Sequence, residues 1–170
     1  MPEHATAEQR TSEPPGSEHP RLRVEVLLVL PFDLACKSLA GYKLAYALTD
    51  KLAAAANRVP DEEFLQKMVD KDITKFVALD RADEPLAMAT LTGTPSYRLS
   101  PAFYEARYPE HFASGRIWYM AQFWAQKGHR GGVIAILRAV SLYASGKCVI
   151  VAFNCCNYNT DVVRVPEMIA

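Results

Sequence analysis

The sequence predicts an α+β chain in three layers: helices on both faces of a mixed, mostly antiparallel sheet with one central parallel strand pair. Three observations carry this. Strand-like runs at 75–80 and 84–93 flank the polar stretch Arg81–Glu84, which reads as a hairpin. An aromatic run at 116–126 is followed by a polar loop, a helical pattern at 130–146 and an apolar run at 147–154. Those form one βαβ unit, whose crossover makes its two strands parallel. Helical periodicity also fills 32–72, ahead of the hairpin. With 170 residues, a single domain over 21–170 is expected, large enough to bury a core without disulfides or metals.

Taken in order, Met1–Pro20 is expected to be a disordered tail, because it has almost no apolar side chains with which to offset the entropy of ordering. Branched and leucine residues from Leu22 to Leu30 suggest a strand closed by Pro31. From Phe32 to Val59, Leu34, Leu39, Tyr42, Leu44, Tyr46, Leu48 and Leu52 fall at mixed three- and four-residue steps, a helix loosened at Gly41. Pro60 opens a second helix, with Asp61, Glu62 and Glu63 in the first turn, where the helix dipole favours negative charge. After the hairpin, Gly93–Gly115 is a long connection rich in Tyr, Phe and Pro, with a helical piece at 101–108. Connections this long inside a domain usually carry function or form an ordered flap. In the strand at 116–126, strict alternation puts Ile117, Tyr119, Ala121, Phe123 and Ala125 on one face. Trp118, Met120, Gln122 and Trp124 then share the other. The helix from Arg130 stops at Gly146, and the last segment, 155–170, has no firm assignment.

Lys plus Arg and Asp plus Glu both number 19, so the chain has no basic excess of the kind a general nucleic-acid binder shows. No nucleic-acid partner is expected. The longest apolar run, Val26–Phe32, is far short of the roughly 20 residues a membrane helix needs. With no signal-peptide pattern at the start, the expectation is a soluble, cytoplasmic protein without a membrane partner. Cys36, Cys148, Cys155 and Cys156 match no zinc spacing, so no metal is expected and the thiols read as reduced.

The chemistry centres on the loop Lys127–Gly132. A helix starting at Arg130 leaves its first amides without intrahelical partners. Gly131 and Gly132 let a ligand approach those amides, and Lys127, His129 and Arg130 add positive charge. A pyrophosphate suits such a place. A plain strand-to-helix turn, binding nothing, accounts for the same residues. Neither the P-loop spacing nor the dinucleotide Gly-x-Gly-x-x-Gly is present.

The element order and the motif Arg130-Gly131-Gly132-Val133-Ile134-Ala135 resemble the GNAT superfamily of N-acetyltransferases, over roughly Arg23 to Asn157. That family's motif is Arg/Gln-x-x-Gly-x-Gly/Ala at the start of the helix after the fourth strand. Arg130, Gly131 and Ala135 match, and Val133 stands where a glycine is expected. The resemblance implies an acetyl-CoA or other acyl-CoA co-substrate. Its pyrophosphate would rest on the amides of Arg130 to Ala135, with the pantetheine arm paired to the strand edge at Gln122, Phe123, Trp124 and Ala125. It also implies direct attack on the thioester by an amine, of a small molecule or a protein, beside a strand-end asparagine, here Asn154.

Catalytic candidates are Gln122, His111 and Tyr158. Gln122 holds a water or the acceptor, or is a satisfied core amide. His111, beside Glu110 on the long connection, is a base or a solvated loop residue. Tyr158 follows Asn154 more closely than the family's thiolate-protonating tyrosine would, so it is an acid or a packing residue. The strand at 116–126 has no Asp or Glu, and the part after the fifth strand looks shorter than the family's. An exposed last strand would favour a homodimer. Three readings follow: an N-acyltransferase, a non-catalytic acyl-CoA-binding or regulatory protein on the same fold, and an unrelated α/β module that binds no nucleotide.

Overall fold

The structure, a computed structural model, describes residues 22–47, 58–93 and 100–153. The expected tail, the helix beyond Ala47 up to residue 57, Asn154, Tyr158 and the final segment lie outside the described residues. The elements are β1 (Arg23–Leu27), α1 (Phe32–Ala47), α2 (Asp61–Val69), β2 (Ile73–Leu79) and β3 (Pro85–Thr92). They continue with α3 (Pro101–Arg107), α4 (Pro109–Ala113), β4 (Ile117–Ala125), α5 (Arg130–Ala144) and β5 (Ile150–Phe153). The five described strands form one sheet in the order β1-β2-β3-β4-β5. The first three pairings are antiparallel and β4–β5 is parallel, closing the described sheet on that side.

Helices cover both faces, which is why β2 and β3 are buried at every position. On one face α1 and α2 bring Tyr42, Phe64 and Met68 onto Val77, Leu79, Met88 and Trp124. On the other, Ile136 and Val140 of α5 pack on Phe76, Ala78, Ala87, Ala89 and Leu91. The small side chains of Ala78 and Ala87 let the helix lie close, and Gly132 shares that contact. A third cluster joins Ile117, Tyr119 and Ala152 to Tyr104 and Phe112. It ties the two short helices of the long connection to β4 and β5 through their aromatic residues.

Besides β4, described below, and the extra short helix α4, two elements depart from the sequence expectation. β1 ends at Leu27 rather than Leu30. The chain from Leu28 turns away because its backbone groups are claimed elsewhere: Leu30 N–H donates to Met68 O at 3.0 Å. Lys75 Nζ donates to Leu28 O at 2.6 Å and also to Asp70 O. A buried lysine on β2 thus binds the carbonyl after α2 to the connection before α1. Second, α1 runs unbroken through Gly41. The glycine does not loosen the helix; it admits Trp124, whose Cη2 lies 2.5 Å from where a Cβ would stand.

Candidate functional site

The site is built on β4. Its residues Met120 and Gln122 face successive residues of β3, Leu91 and Thr90, so Ala121 is an extra residue and the strand carries a β-bulge. Strict alternation fails there. Burial changes phase at the same point, with Ile117 and Tyr119 buried before the bulge and Gln122 and Trp124 after it. Gln122 and Trp124 therefore share a face with Ile117 and Tyr119, not with Trp118 and Met120. Trp118, Met120, Phe123 and Ala125 lie together on the α5 side. The physical reason is the period of two: one inserted residue exchanges the faces of everything after it.

The bulge coincides with a parting of strands. β5 pairs with β4 only from Ile117 to Met120. From Gln122 to Ala125, β4 keeps its β3 partners on one side and has no strand on the other among the described residues. That leaves a half-strand whose backbone can accept an extended ligand as a strand would.

The loop that follows is shaped by local hydrogen bonds. Gln126 N–H donates to Leu86 O at 2.8 Å, and its side-chain Nε2 to Pro85 O at 2.9 Å, pinning the loop to the start of β3. Gly128 takes a left-handed φ of 86°, a turn that suits glycine. The helix then starts at Arg130 with no side-chain cap and no acidic residue in its first turn. Gly132 N–H donates to His129 O at 3.0 Å and Val133 N–H to the same oxygen at 3.4 Å. The amides of Arg130 and Gly131 have no partner among the described residues.

The two glycines have different surroundings. Gly131 is exposed and a Cβ there would meet only the movable Leu22 Cδ1, at 3.2 Å, while Gly132 is buried with its absent Cβ 3.3 Å from Ala87 Cβ, which is fixed to the strand. Gly132 thus permits close helix–sheet packing, and the open amides are those of Arg130 and Gly131. Lys127, His129 and Arg130 are exposed and form no ion pair among the described residues. Farther along the first turns of α5, Val133 and Ala135 are half-buried and Ile134 is exposed. A half-open strand thus runs into an uncapped, positively charged helix start.

Comparison with solved structures places this arrangement. An aminoglycoside acetyltransferase, meta-AAC0020, from an uncultured soil metagenomic sample in complex with sisomicin superimposes with a TM-score of 0.56 at 12% identity, over 87% of this chain and 86% of that one. The aminoglycoside N-acetyltransferase AAC(6')-Iy in complex with CoA gives 0.53 at 14% identity, over 93% and 91%. The ribosomal-protein-alanine N-acetyltransferase from Brucella melitensis biovar Abortus 2308 gives 0.53 at 14% identity, over 88% and 90%. The chain has the GNAT fold. No protein-family model and no curated protein matches the sequence.

Within the GNAT fold the remaining candidates separate. Gln122 is buried on the α1 side, directly opposite Thr90, with both ends of its carboxamide unpartnered among the described residues. His111 lies in α4, and its carbonyl accepts the N–H of Arg116, the residue before β4. It is therefore at the far end of β4 from Arg130, about 16 Å of strand from the bulge. Phe123 and Ala125 turn their side chains toward α5, so only their backbone edge faces the gap left by β5.

Two residues escaped the sequence reading. Tyr119, immediately before the bulged pair Met120–Ala121, is buried with an unpartnered hydroxyl among the described residues and a ring edge-on to Tyr104 at 5.7 Å. Burial raises its pKa, with Tyr104 adding to the effect. Lys75 was hidden because it falls on a buried face of β2, where its pKa is pushed down to about 8 by desolvation, against a smaller opposing pull from Asp70. Among the described residues no group of His, Cys, Asp and Glu is placed to hold a metal ion. No described helix is long and apolar enough to cross a membrane.

Proposed function

We propose that the chain transfers an acyl group from acetyl-CoA or another acyl-CoA to an amine, by direct attack of the amine on the thioester. The observation that supports this reading is the meeting of two features: the free half of β4 and the open amides of Arg130 and Gly131. Orphan donors at a helix start favour a phosphate, and the exposed Lys127, His129 and Arg130 add to that field. The amide-bearing pantetheine arm would pair with the backbone of Gln122–Ala125, and the thioester would then reach the bulge at Ala121, where β5 leaves. There the amine nitrogen forms a bond to the acyl carbon, the carbon–sulfur bond breaks, the thiolate departs with CoA and the nitrogen loses a proton. The solved neighbours include enzymes named for aminoglycoside and ribosomal-protein alanine acceptors, so small-molecule and protein amines are both candidate acceptors.

A second reading, a non-catalytic acyl-CoA-binding protein, is favoured by one specific observation: β4 carries no carboxylate to take the amine's proton. Turnover separates the two readings.

The first test is thermal unfolding with acetyl-CoA, CoA and a long-chain acyl-CoA. A ligand at about 100 times its Kd stabilises by roughly 2.7 kcal/mol, a rise on the order of 5–10 °C for a chain of this size. Gly131→Glu should abolish that rise, since it sets a carboxylate against the phosphate. The same substitution suits the first turn of a free helix, so the variant should still fold. A cooperative melt unaffected by any of the three ligands would overturn the reading. Binding without CoA release across a panel of amines would select the non-catalytic one.

A further inference from the structure

Five side chains carry buried polar atoms with no partner among the described residues: Ser38 Oγ, Thr90 Oγ1, Tyr119 Oη, Trp124 Nε1 and both ends of the Gln122 carboxamide. All five residues are more than nine-tenths buried. They are not scattered. Tyr119 lies opposite Thr92, Gln122 opposite Thr90 and Trp124 opposite Met88, and these β3 residues alternate onto the face that packs against α1. Ser38 belongs to the buried stripe of α1, one turn before Gly41, which rests on Trp124. The bulge at Ala121 is what gathers the β4 members, because without it Tyr119 and Gln122 would point to opposite sides.

Proteins rarely bury so many polar groups without partners, because an unmade hydrogen bond costs more than a made one returns. The chemistry of the group defines what satisfies it. Gln122 offers both donors and an acceptor, the hydroxyls of Ser38, Thr90 and Tyr119 can do either, and Trp124 donates. Among the described residues the one buried charge on this face, Lys75, already has two carbonyl acceptors. The complement is therefore uncharged and both gives and accepts hydrogen bonds. We propose that the α1 face of β3 and β4 encloses a binding site for uncharged hydroxyl groups, held chiefly by Gln122 and Thr90 with Tyr119 beside them. Ordered water fills it in the free protein. This stands whether or not the chain binds an acyl-CoA.

The test uses Thr90→Val, Gln122→Met and the double variant, without ligand. If the groups hold water, each single change strands the other's partner and lowers Tm by about 2–4 °C, and the double change costs less than the sum. If the atoms are merely orphaned, removing them relieves a penalty, and variants as stable as the wild type or more so would overturn the proposal. Oxygen-17 relaxation dispersion of water gives an independent readout. A long-lived water present in the wild type and lost in the double variant supports the site in its water-filled form. A glycerol-induced rise in Tm larger in the wild type than in the double variant would show that a ligand hydroxyl can take the place of that water. Neither difference would leave the site without an occupant and sink it.

Discussion

Gly41 shows how a residue's meaning depends on its neighbour. By propensity it costs a helix about 1 kcal/mol relative to alanine. In the fold an added Cβ would lie 2.5 Å from Trp124 Cη2 and 2.8 Å from Cζ3, well inside contact distance. Overpacking of this kind costs about 1–3 kcal/mol and outweighs the propensity gain. Gly41→Ala should therefore lower unfolding free energy in urea, and an unchanged midpoint would show that the indole has room to slide. Lys75 makes a prediction in pH. Its folded pKa is depressed to about 8, mainly by burial, from an ordinary 10.5. Between those values the unfolded chain binds the proton and the folded chain does not, so this group makes stability rise with pH across the window. Below about pH 8 both states are protonated and the contribution is flat. Lys75→Met should remove that slope, seen as the difference between wild-type and variant urea midpoints measured from pH 7 to 10.5. Parallel curves would show that the two carbonyls hold the ammonium charged throughout.

At the scale of the element, β4 and α5 act as a unit. Gly132, Ile136, Val140 and Ala144 form the buried stripe of α5, and Gly132 sets how closely its first turn meets β3. Ala87 Cβ, 3.3 Å from the site of a new Cβ, is fixed to the strand backbone and cannot swing aside. Gly132→Val should push the helix start outward and destabilise by about 1–3 kcal/mol, measured by denaturant titration. A neutral result would mean that the helix start is not anchored there. Gly131 is exposed on the same turn, and a new Cβ would press only on the movable end of Leu22, at 3.2 Å, so substitution there should cost little stability while losing the proposed acyl-CoA response, the opposite pair of phenotypes. The periodicity of α5 was readable from its apolar spacing. The bulge in β4 was not: Ala121 is flanked by residues that fit an unbroken strand, and only pairing with Thr90 and Leu91 marks it as extra.

Across the whole molecule, burial is centred on β2 and β3, enclosed by α1 and α2 on one face and α5 on the other. Hydrogen exchange should be slowest at their amides, and markedly faster at the amides of Gln122–Ala125 that face the gap left by β5. Uniform protection along β4 would show that another segment covers that edge. The element order, the hairpin, the βαβ unit and the helix start at Arg130 were legible in the sequence, because periodicity, glycine placement and charge are local properties. Even the resemblance behind the GNAT reading rests on such local features. The sequence by itself determined which segments become helix and strand, and from it came the expectation of an anion at the helix start. The tertiary structure alone decided that Gln122 joins Tyr119 on the α1 face, that Gly132 serves packing while Gly131 stays open, and that Lys75 is buried. Each of those depends on a partner distant in sequence, and no local pattern encodes which residue of a neighbouring strand lies opposite.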